Sequence, residues 1–320
     1  MGTYNLGSVY TAIRNPKKAG RYLNRFLNAK LLKQKYGTGF DLLAEDWDNL
    51  IILDGCRYDI FDQYNTFEGT TRPVISKGAH SFEFMKNTFD GKQLHDTAYV
   101  TANPWSEELP DDTFFLTRRT YTDHNKGGEA RLPEDVADLT IKTFEEYPNK
   151  RYIVHFMQPN NPYVGSKAEQ LRADLLANQN VLCTELHTPG ESDRSNVVDE
   201  VPNLRRALKK GYITQEQMFE VYIENLGIVT DHAKRVINEL DGKTAITADH
   251  GDMFGERLAP LYIREYSHWE NVYSKQLRTV PWHVQESETR REIETGRPQG
   301  KESMGDSDVE EHLKSMGYLQ

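Results

Sequence analysis

Three short apolar runs in this chain each bring a polar, metal-capable side chain to their carboxyl end, and this repeated arrangement most restricts the fold. Residues 49–53 lead directly into Asp54, residues 151–156 carry His155 next to their end, and residues 243–248 lead into Asp249. Runs without apolar–polar alternation suit strands buried on both faces of a parallel sheet. In open α/β sheets, ligands bind beyond the carboxyl ends of the strands. Between Gln215 and Leu240, apolar residues recur at helical spacing: Met218, Val221, Tyr222, Leu226, Val229, Ala233, Val236, Ile237 and Leu240. The turn Asp241-Gly242-Lys243 joins this helix to the strand before Asp249. The expected fold is α/β, with a mostly parallel central sheet flanked by helices on both faces.

The chain divides by composition into a basic arm at 1–36, an α/β catalytic domain at 37–285, and a polar linker with a C-terminal helix at 286–320. Ser307 followed by acids is the expected start of that last helix. The net charge of −10 argues against nucleic acid as a partner of the whole surface. Residues 1–40 nevertheless contain Arg14, Lys17, Lys18, Arg21, Arg25, Lys30, Lys33 and Lys35, with no acid. Tyr22, Leu23, Phe26, Leu27, Leu31 and Leu32 add an apolar stripe. Two readings of the arm stand: peripheral contact with anionic lipid headgroups, or packing of the stripe on the enzyme core. No apolar run reaches spanning length. The N-terminus has no apolar stretch typical of a secretory leader, and Cys56 and Cys183 are too few for a disulfide framework. These features predict a cytoplasmic protein, with membrane association on the cytoplasmic face as the arm's contribution.

The densest chemistry lies in residues 247–252, Thr-Ala-Asp-His-Gly-Asp. Asp249 offers a hard oxygen and His250 an imidazole nitrogen, a pair suited to Zn or Mn, and Gly251 permits a tight backbone turn. The same residues also read as a polar strand-to-loop junction with a capping Asp. At residues 53–59, Asp54 projects from its strand as a ligand or a helix cap. Arg57 could pair with Asp54 or Asp59, or meet an anionic substrate. Cys56 has only Arg57 nearby to lower its pKa, so it reads as a small buried thiol.

These segments resemble those of the alkaline phosphatase superfamily, in its sulfatase-like branch. Leu53 to Asp59 is similar to that group's first metal motif, an apolar strand followed by Asp-x-x-Arg. Residues 247–256 resemble its second, Asp-His-Gly followed by Gly-Glu. His155 to Tyr163 resembles the His-rich segment before Pro-Tyr, and residues 276–282 resemble a late strand reading Leu-Arg-x-Val-Pro. The closing Glu-Glu-His-Leu-Lys-Ser-Met-Gly-Tyr is similar to the tail of archaeal members.

The resemblance implies an alkaline-phosphatase-like core and a metal-dependent hydrolase or transferase acting on phosphate esters or phosphodiesters of an anionic small molecule, glycan or lipid. It implies one divalent ion (Zn, Mn, Mg or Ca) held by Asp54, Asp249 and His250. The nucleophile is implied a few tens of residues after the first Asp, at a helix start that helps hold an anion. Ser81, before the helical-looking residues 82–89, fits as nucleophile and equally as a plain helix cap, with Ser76 as runner-up. His155 is expected to orient substrate or protonate the leaving group, or to be a hydrogen-bonded core residue. Arg57, Asn160 and His268 are expected to bind substrate.

Two departures matter. The sulfatase signature Cys-x-Pro-Ser-Arg is absent, which favours phosphoester over sulfate-ester chemistry. Asn160 stands where relatives often carry His, and Asn neither transfers a proton near neutral pH nor binds metal well. A sulfate-ester hydrolase and a non-catalytic binding protein on the same fold are therefore the alternatives.

Overall fold

The computed structural model describes residues 16–120, 132–186 and 197–303. In chain order the elements are helix α1 (Pro16–Tyr36), strand β1 (Asn49–Leu53), α2 (Tyr58–Tyr64), β2 (Thr70–Ile75), α3 (Ser81–Phe89), β3 (Leu94–Thr101) and β4 (Phe114–Arg119). There follow α4 (Pro133–Glu146), β5 (Arg151–Phe156), α5 (Ser166–Gln179), β6 (Val181–Cys183), β7 (Asp199–Val201), α6 (Leu204–Lys210) and α7 (Gln215–Glu239). Strands β8 (Thr244–Thr247), β9 (Phe254–Leu258), β10 (Ile263–Tyr266), β11 (Thr279–Gln285) and β12 (Gly300–Ser303) follow, and short helical turns lie at Leu42–Ala44, Pro104–Glu108 and Lys275–Arg278. The C-terminal helix expected after Ser307 lies outside the described residues.

Eight strands form the central sheet in the order β12-β4-β3-β5-β1-β8-β11-β2. From β12 to β8 every pairing is parallel, and β11 and β2 close the far edge antiparallel. Strand β1 is central, and all five of its residues are buried, as the unbroken apolar run requires. The expected long helix is α7, which opens with a reciprocal capping box between Thr214 and Gln217. Its apolar stripe joins the main core, and its first turns join a second cluster with α5, β6 and α6.

Register sets the site. Ile52 of β1 lies level with both His155 of β5 and Thr247 of β8. Side chains alternate with a period of two along a strand. Asp54 and Asp249, each two positions past that level, therefore emerge on the same face of neighbouring strands. His155 points the same way, one rung deeper.

The segment read as a polar linker is partly structural. Arg291 donates to Asn49 Oδ1 (2.7 Å) and to the Lys150 carbonyl (3.1 Å), bracing the amino ends of β1 and β5. Residues 300–303 then add β12 to the sheet edge. Sequence polarity pointed to solvent, whereas these charges find partners on the sheet's rim.

Helix α1 packs by an inverted pattern. Its fully buried residues are Asn24 and Asn28, while Tyr22, Leu23, Phe26 and Leu31 are exposed. Asn28 Nδ2 donates to the carbonyls of Ala259 (2.9 Å) and Tyr273 (3.0 Å), and its Oδ1 accepts from Tyr273 N (2.7 Å). Asn24 donates to the Leu258 carbonyl (2.9 Å) and accepts from Leu261 N (2.9 Å). The arm docks on the β9–β10 region through amides that satisfy loop backbone, and much of the apolar stripe faces outward. Asn28→Ala removes three hydrogen bonds to loop backbone, two of them buried, and should destabilise the chain by about 2–3 kcal/mol. Urea unfolding of the variant against the parent measures this; a midpoint unchanged within error refutes the docking role.

Candidate metal centre

Asp54, Asp249 and His250 are buried, and one donor atom from each lies within 4.8 Å of the others. The loop after β1 makes this possible at Gly55, whose positive φ of 68° suits glycine and whose N–H donates to Asp249 Oδ1 at 3.0 Å. His250 N donates to the same oxygen at 2.8 Å. Asp249 Oδ2 has no hydrogen-bond partner among the described residues and stands 3.4 Å from His250 Nε2. His250 Nδ1 lies 2.7 Å from the Gly251 carbonyl, which only accepts, so Nδ1 carries the proton. Nε2 then turns a lone pair toward the carboxylates, the tautomer that metal ligation needs.

Asp54 is held by neutral donors. Its Oδ1 accepts from Asn160 Nδ2 (2.6 Å), and its Oδ2 accepts from Asn103 Nδ2 (2.6 Å) and Ser81 Oγ (3.1 Å). Burial, followed by the Asp249 charge, pushes the Asp54 carboxyl up to about 6. Burial alone would lower the pKa of His250, but the carboxylates of Asp249 and Asp54 outweigh it and raise it. Two carboxylates this close repel by about 3–4 kcal/mol at an effective dielectric near 20. A divalent cation fits this donor set: two carboxylates, one correctly tautomerised imidazole, and an orphaned carboxylate oxygen.

Ser81 is not the helix cap. His80 takes that role, its Nδ1 accepting from Phe82 N at 3.1 Å, and Ser81 is the first residue of α3. The serine hydroxyl points into the cluster instead, 3.1 Å from Asp54 Oδ2 and 3.2 Å from His250 Nε2. Ser76, the runner-up, donates to the Asp249 carbonyl and accepts from Gly78 N, so its hydroxyl is structural. Cys56 is fully buried, and burial pushes its thiol far up, which removes it as a nucleophile.

Three of the expected side chains have their polar groups engaged within the protein. Arg57 does not reach the site as a free anion binder. Its guanidinium is clamped by Asp59 (3.0 and 2.7 Å) and by Glu256, because helix α2 begins at Tyr58 and brings Asp59 back over it. Asn160 is likewise occupied, donating to Asp54 while its Oδ1 accepts from Arg205 and from Asn161 N (2.8 Å). Its side chain thus links Asp54 to Arg205. His155 lies behind the carboxylates, its Nε2 3.9 Å from Asp54 Oδ2 and 3.8 Å from Asp249 Oδ2, and its Nδ1 2.9 Å from Tyr99 Oη. One rung deeper in the sheet, it lies behind the two carboxylates. Burial holds its pKa down at about 4.

His268 does come to the site. Its ring lies 4.3 Å from that of His250 and 5.2 Å from that of His80. Its Nδ1 faces Asp252 Oδ1 at 3.7 Å, and Asp252 is paired with Arg205 at 2.7 Å. Burial would raise the Asp252 pKa, but Arg205 and His268 lower it. Burial, then the neighbouring charge of His250, lowers His80 to about 4 and His268 to about 3. His80, Trp105 and His268 form the partly exposed rim.

The sequence reading missed His80, Asn103, Arg205 and Asp252 as parts of this cluster. Asn103 had a usable signal: it stands two residues past the end of β3, as Asp249 stands two past β8. Arg205, on the short helix α6, had none.

No family model matches the chain, and no curated protein matches it. Among solved structures, it is similar to the C-terminal periplasmic domain of EptC from Escherichia coli in complex with Zn. There the TM-score is 0.43 and identity 11%, over 79% of this chain and 76% of that one. The integral membrane lipooligosaccharide phosphoethanolamine transferase EptA from Neisseria meningitidis gives 0.42 and 11%, over 75% of this chain and 47% of that one. A 2-O GAG sulfatase gives 0.39 and 12%, over 76% and 64%. These likenesses concern chain arrangement only. The cytoplasmic placement expected above is corrected: the EptC structures are periplasmic domains, and a cytoplasmic site is not supported. Among the described residues no helix is long and apolar enough to cross a membrane. The archaeal resemblance expected from the closing residues is not supported by these comparisons.

Calorimetric titration with Zn or Mn should show a single bound cation, and at about 1000-fold excess over Kd it should add about 4 kcal/mol of stability. Asp249→Asn should abolish both effects, and Asn103→Ala should weaken binding about 10–100-fold. Full-strength binding by Asp249→Asn excludes this centre.

Proposed function

We propose that the chain is a metal-dependent transferase or hydrolase of anionic phosphate esters or phosphodiesters, with Ser81 as nucleophile and Asp54, Asp249 and His250 as metal ligands. The observation that carries this reading is the position of Ser81 Oγ, 3.1 Å from Asp54 Oδ2 and 3.2 Å from His250 Nε2 at the start of a nine-residue helix. A divalent cation held there lowers the pKa of a neighbouring hydroxyl and offsets charge on the transferred group. The imidazole ligand favours Zn or Mn over Mg or Ca.

The chain's own groups supply the rest. Asp54 Oδ2 accepts the Ser81 hydrogen bond and orients its oxygen. The N-terminus of α3 faces its positive dipole end toward an incoming anion. His80 Nδ1 accepts from Phe82 N, so its Nε2 carries the proton and donates from the rim without adding charge. Asp252 orients His268 from behind, and Arg205 links Asp252 to Asn160 and so to Asp54. His155 backs the two carboxylates as a positioning residue. The absence of the Cys-x-Pro-Ser-Arg signature favours phosphate over sulfate as the transferred group.

Turnover of bis(p-nitrophenyl) phosphate, p-nitrophenyl phosphate and p-nitrophenyl sulfate with Mn or Zn tests the reading. Ser81→Ala should lower kcat by more than about 1000-fold on the preferred phosphate substrate while metal binding persists. Activity retained by Ser81→Ala removes the serine from its role, and a preference for the sulfate ester overturns the phosphoester assignment.

A further inference from the structure

Beside the metal centre the surface holds a second, strongly basic cavity of about 450 Å³, lined by Lys18, Arg21, Tyr22, Arg25, Arg206, Lys209 and Trp269. Its cations come from α1 and α6, segments far apart in sequence that fold against the same corner. Arg25 is neutralised by Glu265 in a bidentate pair (2.7 and 2.7 Å) and lies flat over the Trp269 ring at 3.7 Å, fixing that wall. Among the described residues, no carboxylate pairs with Arg21, Arg206 or Lys209. Burial and the charges of Arg21 and Arg206 lower the Lys209 pKa, and the Glu265 carboxylate, already paired with Arg25, opposes them only in part.

Two segments run from the metal centre to the cavity. Arg205 bonds Asn160 and Asp252 in the centre, and the next residue, Arg206, lines the cavity. His268 meets the His250 ring, and the next residue, Trp269, lines the cavity.

We propose that this cavity is a subsite for a second phosphate-type oxyanion, so that the substrate carries one anionic ester at the metal centre and another anionic group held by Arg21, Arg206 and Lys209. The span to the metal centre rests on the phosphoester reading above; the anion subsite itself does not. Unpaired guanidinium and ammonium groups drawn from separate helices match the several oxygens of such a group, and charge-assisted hydrogen bonds supply the affinity. Tyr22 and Trp269 offer aromatic surface to whatever carries it.

The test is calorimetric titration of the full chain, stripped of metal with EDTA, with inorganic pyrophosphate as the probe. The parent should bind, with affinity falling as salt rises. Arg206→Gln/Lys209→Gln, and independently Arg21→Gln on the opposite wall, should each weaken binding at least about tenfold. Asp249→Ala should still bind pyrophosphate. Because this readout needs no turnover, it stands or falls separately from the Ser81 experiment. Binding indifferent to the cavity variants, or lost in Asp249→Ala, overturns the proposal. Co-sedimentation with phosphatidylglycerol vesicles, lost in the double variant, would identify the anion as a lipid headgroup. Pyrophosphate binding without co-sedimentation would identify a soluble ligand.

Discussion

Two carboxylates buried side by side at the tips of neighbouring parallel strands are the constraint around which this molecule is arranged. Removing each from water is unfavourable, and their proximity adds repulsion. Among the described residues no lysine or arginine bonds Asp54, which is held by two asparagines and a serine. Amide donors satisfy lone pairs without cancelling charge, so the negative potential of the pair is preserved. Arg205 and Arg57, the buried cations nearby, are committed to Asp252 and to Asp59 and Glu256 instead. The charge balance of the region separates a neutral support around Asp54 from a cationic support one layer out.

The support has an order. Asn103 follows β3, Asn160 follows β5, and Asp54 follows β1, so adjacent strand ends of the sheet each contribute one side chain to the same carboxylate. His155 backs the carboxylates from within the sheet, and Tyr99 Oη meets its far nitrogen. On the open side, His80 caps α3 through its ring, which leaves the serine hydroxyl to face inward. Had Ser81 capped the helix, its oxygen would have been tied to backbone amides and turned from the cluster.

The basic arm gains a role from the same packing logic. Asn24 and Asn28 fasten α1 to the loops around β9 and β10, and this brings Arg21 opposite Arg206 and Lys209. A helix whose charge pattern suggests either a lipid surface or a solvated face thereby builds one wall of a cavity next to the site.

The sequence by itself determined the strand runs, the long helix α7 and the three residues Asp54, Asp249 and His250, because strands buried on both faces must be apolar until they end. It also singled out Ser81 as a hydroxyl at a helix start. Only the tertiary structure decided what surrounds them. Whether Arg57 meets a ligand or Asp59, whether Asn160 faces substrate or Asp54, and whether His155 reaches the leaving group depend on strand register and side-chain direction. Arg205 left no trace in the sequence, since its partners Asn160 and Asp252 lie 45 and 47 positions away and meet it only through folding. Periodicity records which face a residue takes along its own strand or helix; it carries no record of what another segment lays against that face.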